Sequence, residues 1–207
     1  MVDASSSLPG RHEPVFTVGS THAVLGTAMD PHDEDVERIY LAMGCFWGAE
    51  EIYWQLPGVA ATSVGYMGGY TPHPTYEEVC TGMTGHTETV FVAYRPAQIS
   101  TYDILKIFWE SHDPTQGFRQ GNDVGTQYRS AIFYTNEQQR EIAEATRALY
   151  ADVIAARGYP QISTEIEPAS EHTYYMAEDY HQQYLYKVPH GYRCHSNTGL
   201  ALPAMVR

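Results

Sequence analysis

The sequence predicts an α+β fold: a two-layer α/β roll with a mixed central sheet flanked by helices and a long irregular C-terminal tail. Two observations carry this. Runs with the period of strands and runs with the period of helices both recur along the chain, yet they do not alternate strictly enough for a doubly wound sheet. Beyond residue 166 the chain is tyrosine-rich and holds neither period.

Residues 1–38 read as an extended arm, with Ser5-Ser6-Ser7, Pro9-Gly10 and an acidic run over 30–37, and residues 39–207 as a single domain that includes the tail. The apolar run 39–43 predicts a buried strand ending at Gly44. A helix is expected over 45–56, stopped by Pro57-Gly58, with Ala49, Ile52, Tyr53 and Leu56 toward the core. Residues 59–66 form the next strand. The glycine- and proline-rich stretch 65–74 follows and reads as a flexible loop, since it lacks the lysine and spacing of a phosphate cradle. One helical turn fits 76–80. Residues 86–94 alternate as a strand, with Glu88, Val90, Val92 and Tyr94 on one face. Ser100 and Asp103 form a capping box for a helix carrying Leu105, Phe108 and Trp109. After a strand over 130–134, Thr135 and Gln138 suggest a second capping box. It opens a long helix with Ile142, Ala145, Leu149 and Val153 inward, ended by Gly158. Residues 162–166 read as the last strand.

Composition excludes several classes. Apolar residues make up 43% and charged residues 18% of the 207, ordinary values for a globular chain and not for a disordered one. Twelve Lys and Arg against 25 Asp and Glu give a net charge of −13, which opposes sequence-independent nucleic-acid binding. No apolar stretch reaches the ~18 residues of a membrane span. Residues 1–26 lack a basic start followed by an apolar run, so no secretory signal is expected. Three cysteines, Cys45, Cys80 and Cys194, are too sparse and odd in number for a disulfide scaffold. They point to a reducing compartment, the cytoplasm.

Cys45 follows a strand and a glycine at the start of a helix, where the helix dipole favours a thiolate below the free value of ~8.5. The same position suits a small buried apolar residue. Phe46 and Trp47 either line an apolar pocket beside the sulfur or fill the core. Glu88, at the edge of an apolar strand face, is either an acid of raised pKa or a solvated strand-end carboxylate. Cys194, on a loop-like tail, could reach back to an oxidised thiol. His190, Cys194 and His195 do not have zinc-site spacing. A rival reading makes Cys45 a hydrolase or acyltransferase nucleophile activated by a histidine such as His181.

Taken together, several segments resemble the methionine sulfoxide reductase A family. They are Gly44-Cys45-Phe46-Trp47-Gly48 with Glu50, Gly65-Tyr66-Met67-Gly68-Gly69-Tyr70, Pro74-Thr75-Tyr76, Val79-Cys80 through Gly85-His86 to Glu88, and His112-Asp113-Pro114. In the same order follow Gln120-Gly121-Asn122-Asp123, Gly125-Thr126-Gln127-Tyr128-Arg129-Ser130, Ala177-Glu178-Asp179 and His181-Gln182-Gln183-Tyr184. The resemblance covers most of the chain beyond Ile39, and Leu8-Pro9-Gly10-Arg11 and His22-Ala23-Val24 resemble the longer bacterial members.

The resemblance implies a catalytic domain over 39–207 and a reduction of methionine-S-sulfoxide, free or in proteins. Cys45 would attack the sulfoxide sulfur, Phe46 and Trp47 hold the methyl group, and Glu88 protonate the oxygen with Tyr76 and Tyr128 as donors. Asp123 would support the substrate. It further implies a sulfenic acid on Cys45, a disulfide with Cys194 as the resolving residue, thioredoxin as reductant, no cofactor or metal, and a monomer. Some relatives carry a second tail cysteine; Ala201 stands near its place. Cys80 is taken as structural.

Overall fold

The computed structural model describes residues 1–194 and 196–205. Its elements in chain order are β1 (Glu37–Ala42), α1 (Phe46–Trp54), β2 (Val59–Met67), α2 (Tyr76–Cys80), β3 (Thr87–Tyr94) and α3 (Thr101–Ser111). A small hairpin of β4 (Arg119–Gln120) and β5 (Asp123–Val124) follows, then β6 (Ala131–Tyr134), α4 (Glu137–Ala155), β7 (Glu165–Pro168), β8 (Tyr175–Met176) and α5 (Tyr184–Lys187). Six strands form one sheet in the order β7-β6-β1-β3-β2-β8. All its pairings are antiparallel except β6 with β7, so the sheet is mixed as the sequence predicts.

Alternation assigns the two faces of the sheet. Ile39 and Leu41 of β1 and Val90, Val92 and Tyr94 of β3 join one buried cluster with Ala49 and Tyr53 of α1, Leu105, Phe108 and Trp109 of α3, and Tyr150 and Ile154 of α4. Each such side chain removed from water contributes ~1.5–3 kcal/mol. Phe91 and Ala93 point the other way and are covered by Tyr174, whose ring lies 5.1 Å from that of Tyr40. The Tyr174 hydroxyl pairs with Ser63 at 3.0 Å.

Several expectations need correction. The cap of α4 is Asn136, whose side chain accepts the Gln139 N–H at 2.9 Å. Thr135 instead donates its hydroxyl to the Arg38 carbonyl, tying the helix entry to β1. The inward residues are Ala143, Thr146, Tyr150 and Ile154, one position on from those expected. Thr146 can be buried because its hydroxyl donates to Ile142 O and accepts Trp109 Nε1–H. β7 starts at Glu165 because Ser163 is held by Pro114 O outside the sheet, and β8 follows it. The stretch after Gly65 is not a flexible loop. β2 continues to Met67, and a Cβ on Gly69 would lie 2.3 Å from His86 N, an approach only glycine permits.

The arm is packed. Leu8 N–H bonds Met83 O, Arg11 pairs with Glu78, and Gly19 N–H reaches the Asp179 carboxylate. His22 is fully buried against Thr62, its Nε2 at 2.8 Å from the hydroxyl.

Candidate active site

Cys45 sits where β1 hands over to α1. Gly44 turns the chain at φ 90°, and a Cβ there would meet Gln120 Cγ at 2.6 Å. Cys45 is the cap residue of α1 and is buried. The next N–H, of Phe46, donates to Glu88 Oε2 at 2.9 Å, which brings the carboxyl of β3 to the first turn of the helix. Burial pushes Glu88 up to about 8, only partly offset by the Phe46 N–H. A protonated carboxylic acid at neutral pH is the result.

The thiol departs from the sequence expectation. Burial, and then the Glu88 carboxyl, raise Cys45 well above its ordinary value, outweighing the Trp47 N–H that favours the thiolate. The helix dipole loses to desolvation here, so Cys45 rests as a thiol.

A cavity of about 180 Å³ opens at this point, lined by Cys45, Phe46, Trp47, Tyr76, Glu88, Asp123, Tyr128 and Tyr192. The structure thus gathers every sequence-predicted site residue except Cys194 around one space. Phe46 is buried with its ring 5.9 Å from Tyr66, and Trp47 is half-exposed and stacked on Tyr184 at 4.0 Å. Tyr76 opens α2 behind the capping box of Thr75 and Glu78, and its N–H donates to Glu178. Tyr128 is set by Thr87, whose hydroxyl bonds the carbonyls of Gln127 and Arg129 on either side of it. Burial and nearby Glu88 raise both phenols, so both stay protonated donors.

Cys194 borders an adjoining cavity of about 220 Å³ that Cys45 also lines. The Cys194 thiol lies 3.5 Å from Gln120 O, and the Asp123 carboxylate accepts from the Tyr192 hydroxyl at 3.2 Å. Arg193 pairs with Glu51 of α1 through two bonds of 2.7 Å, which anchors the tail beside the thiol. All three cysteines are free, and Cys80 is exposed beside the Tyr76 phenol, not buried structure. His195 lies outside the described residues.

The sequence assigns no role to Tyr192, Glu50 or His22. Tyr192 stands two residues before the tail cysteine, the signal that could have flagged it. His181 is committed elsewhere: Nδ1 accepts Trp47 Nε1–H at 3.1 Å and Nε2 faces Glu178. That withdraws His181 from the role the hydrolase reading gives it.

A buried thiol beside a protonated acid and two phenols, with a second thiol bordering the next cavity, defines a thiol oxidoreductase. Among known families, the peptide methionine sulfoxide reductase model matches residues 37–206. A peptide methionine sulfoxide reductase MsrA of Rhodospirillum centenum is 55% identical over 97% of this chain and 90% of its own length. One from Vibrio cholerae is 53% identical over 98% of this chain and 95% of its own. The solved methionine sulfoxide reductase A of Corynebacterium diphtheriae superposes with a TM-score of 0.85 at 48% identity, covering 98% of this chain and 99% of that one. The chain belongs to the peptide methionine sulfoxide reductase family and is an oxidoreductase that reduces methionine sulfoxide.

Proposed function

We propose that residues 39–207 reduce methionine-S-sulfoxide, free or in proteins, at the cavity lined by Cys45, Glu88, Tyr76 and Tyr128. The convergence of these four groups carries the reading. Cys45 Sγ attacks the sulfoxide sulfur as the Glu88 proton goes to the sulfoxide oxygen, with both phenols donating to it. A protonated oxygen is the better leaving group, and general acid catalysis contributes ~10²–10⁴-fold. Phe46 and Trp47 hold the methyl group, and Asp123 supports the substrate from the rim. The new Sγ–sulfur bond then breaks as the hydroxyl passes to Cys45, giving a sulfenic acid and releasing methionine with its sulfur electron pair; the thiol proton restores Glu88.

Cys194 then attacks the sulfenic sulfur, forming the Cys45–Cys194 disulfide and water. The Cys194 thiol proton leaves with the sulfenic hydroxyl as that water. Thioredoxin dithiol returns both cysteines to thiols and leaves oxidised. No step calls for a metal or organic cofactor. The enzyme works as a monomer in the cytoplasm, where free thiols persist. Among the described residues, no helix is long and apolar enough to cross a membrane.

Thiol titration tests the scheme. Reduced enzyme mixed with excess S-sulfoxide and no reductant should fall from three free thiols to one while releasing about one methionine. Three thiols remaining, with no methionine, would remove the chemistry.

A further inference from the structure

The catalytic cavity is not bounded by solvent at Tyr76. Beyond that phenol lies a depression of about 340 Å³, whose walls include Val15 and Phe16 of the arm together with Tyr76, Glu77, Tyr180 and His181. Tyr76 lines both spaces. Its ring lies 4.6 Å from His181, which in turn accepts the Trp47 indole N–H, so a thin aromatic partition is all that divides them. Val15 is 66% and Tyr180 59% exposed, an unusual amount of apolar surface to leave in water beside a reaction centre.

The arm is fixed on both sides of this stretch. Before it, Arg11 holds Glu78 and the His73 carbonyl; after it, Gly19 N–H holds Asp179 and His22 is buried at Thr62. Residues 12–18 are therefore tethered at both ends, and Val15 and Phe16 among them wall the depression.

A peptide whose sulfoxide meets Cys45 must leave the cavity over its rim. Successive Cα atoms lie ~3.8 Å apart, so a neighbouring side chain falls within reach of the space behind Tyr76. We infer that this depression is a subsite for an apolar residue adjoining the oxidised methionine, which makes the N-terminal arm a specificity determinant for peptide substrates. The Val15, Phe16 and Tyr180 surfaces favour an apolar occupant, and the Glu77 and Glu178 carboxylates in the same lining disfavour an acidic one. The inference rests on the proposed reduction at Cys45 and adds its substrate class.

The test uses full-length enzyme with dithiothreitol as reductant. Its substrates are free methionine-S-sulfoxide and capped dipeptides with glycine or phenylalanine on either side of the sulfoxide. On one side, phenylalanine should raise kcat/KM over glycine by ~5–20-fold, the effect of partly burying one aromatic side chain. Phe16→Ser and, separately, Val15→Ser should bring that preference to within about twofold. The exposed Val15 keeps the test valid if Phe16→Ser loosens the arm. No phenylalanine preference in the unaltered enzyme, or one that survives both substitutions, overturns the subsite. Failure to reduce even free methionine sulfoxide would instead overturn the underlying activity, so the two failures are distinct.

Discussion

Two buried carboxyl groups stand at successive turns of α1, Glu88 reaching the first from β3 and Glu50 carried on the second, and they differ in their partners. Glu88, at the first turn, accepts one bond, from Phe46 N–H, and is pushed up to about 8. Glu50, at the second, accepts three, from the Thr62 hydroxyl and from the side chain and backbone N–H of Gln183, and reaches only about 7. Both are raised chiefly by burial; the donors from Gln183 and Thr62 and the Lys187 charge pull Glu50 back, whereas Asp123 adds to the push on Glu88. The carboxyl left short of donors is the one that lines the cavity with Cys45 and keeps a proton to give. The well-satisfied one holds the chain together.

That contrast has meaning only if Cys45 is where the chemistry occurs. Cys45→Ser should abolish sulfoxide reduction altogether, and any methionine release above background would place the nucleophile elsewhere. Glu88→Gln keeps a donor but loses the acid, so single-turnover methionine release should slow ~10²–10³-fold. In the unaltered enzyme this first step should hold level up to about pH 8 and fall above it; the Gln variant should lack that limb.

Stability should move the opposite way at Glu88. Its pKa is higher folded than its ordinary 4.5, so between 4.5 and about 8 the native state binds more protons, and stability declines as pH rises through that window. Glu88→Gln removes the decline, and its melting temperature near pH 7.5 should exceed that of the unaltered enzyme by several degrees. Cys194→Ser should release about one methionine per enzyme and then stall with thioredoxin as sole reductant; sustained turnover would assign resolution to another thiol.

The smallest change is the most pointed. Glu50→Gln must set its amide N–H₂ against a donor whichever way it flips, because both oxygens accept. It should cost ~1–3 kcal/mol, read as a lower melting temperature, with the first step altered only a few-fold. One substitution type, tried on two carboxyl groups, should thus stabilise at one and destabilise at the other. Equal signs would break the distinction.

Local chemistry was legible in the sequence. The strand and glycine before Cys45, the alternation that puts Glu88 on the core face of β3, and the Ser100–Asp103 box all depend on neighbours within a few residues. What escaped depends on partners far along the chain. The buried setting of Glu50 exists only once Thr62 and Gln183 are brought to it. Asp123 acquires its partner Tyr192 from some seventy residues on. The Cys45 thiol was misjudged because the helix dipole is visible in sequence while the depth of its burial is not. The inward face of α4 was missed because Thr146 and Tyr150 look polar until their hydroxyl partners are known.

The bonds around Glu50 also tie distant segments of the chain to the pocket. Thr62 gives its proton to Glu50, so it can only accept from His22, whose Nδ1 takes the Val24 and Leu25 N–H groups. Only the neutral ring fits, in keeping with a pKa lowered by burial to about 4. Gln183, held in the left-handed region at φ 46°, joins Ala23 to Glu50 and leads into the Tyr184 ring that backs Trp47. Cys45 and the wall behind Trp47 therefore come from segments far apart in the chain, and the substrate pocket is complete only once these have docked on one another.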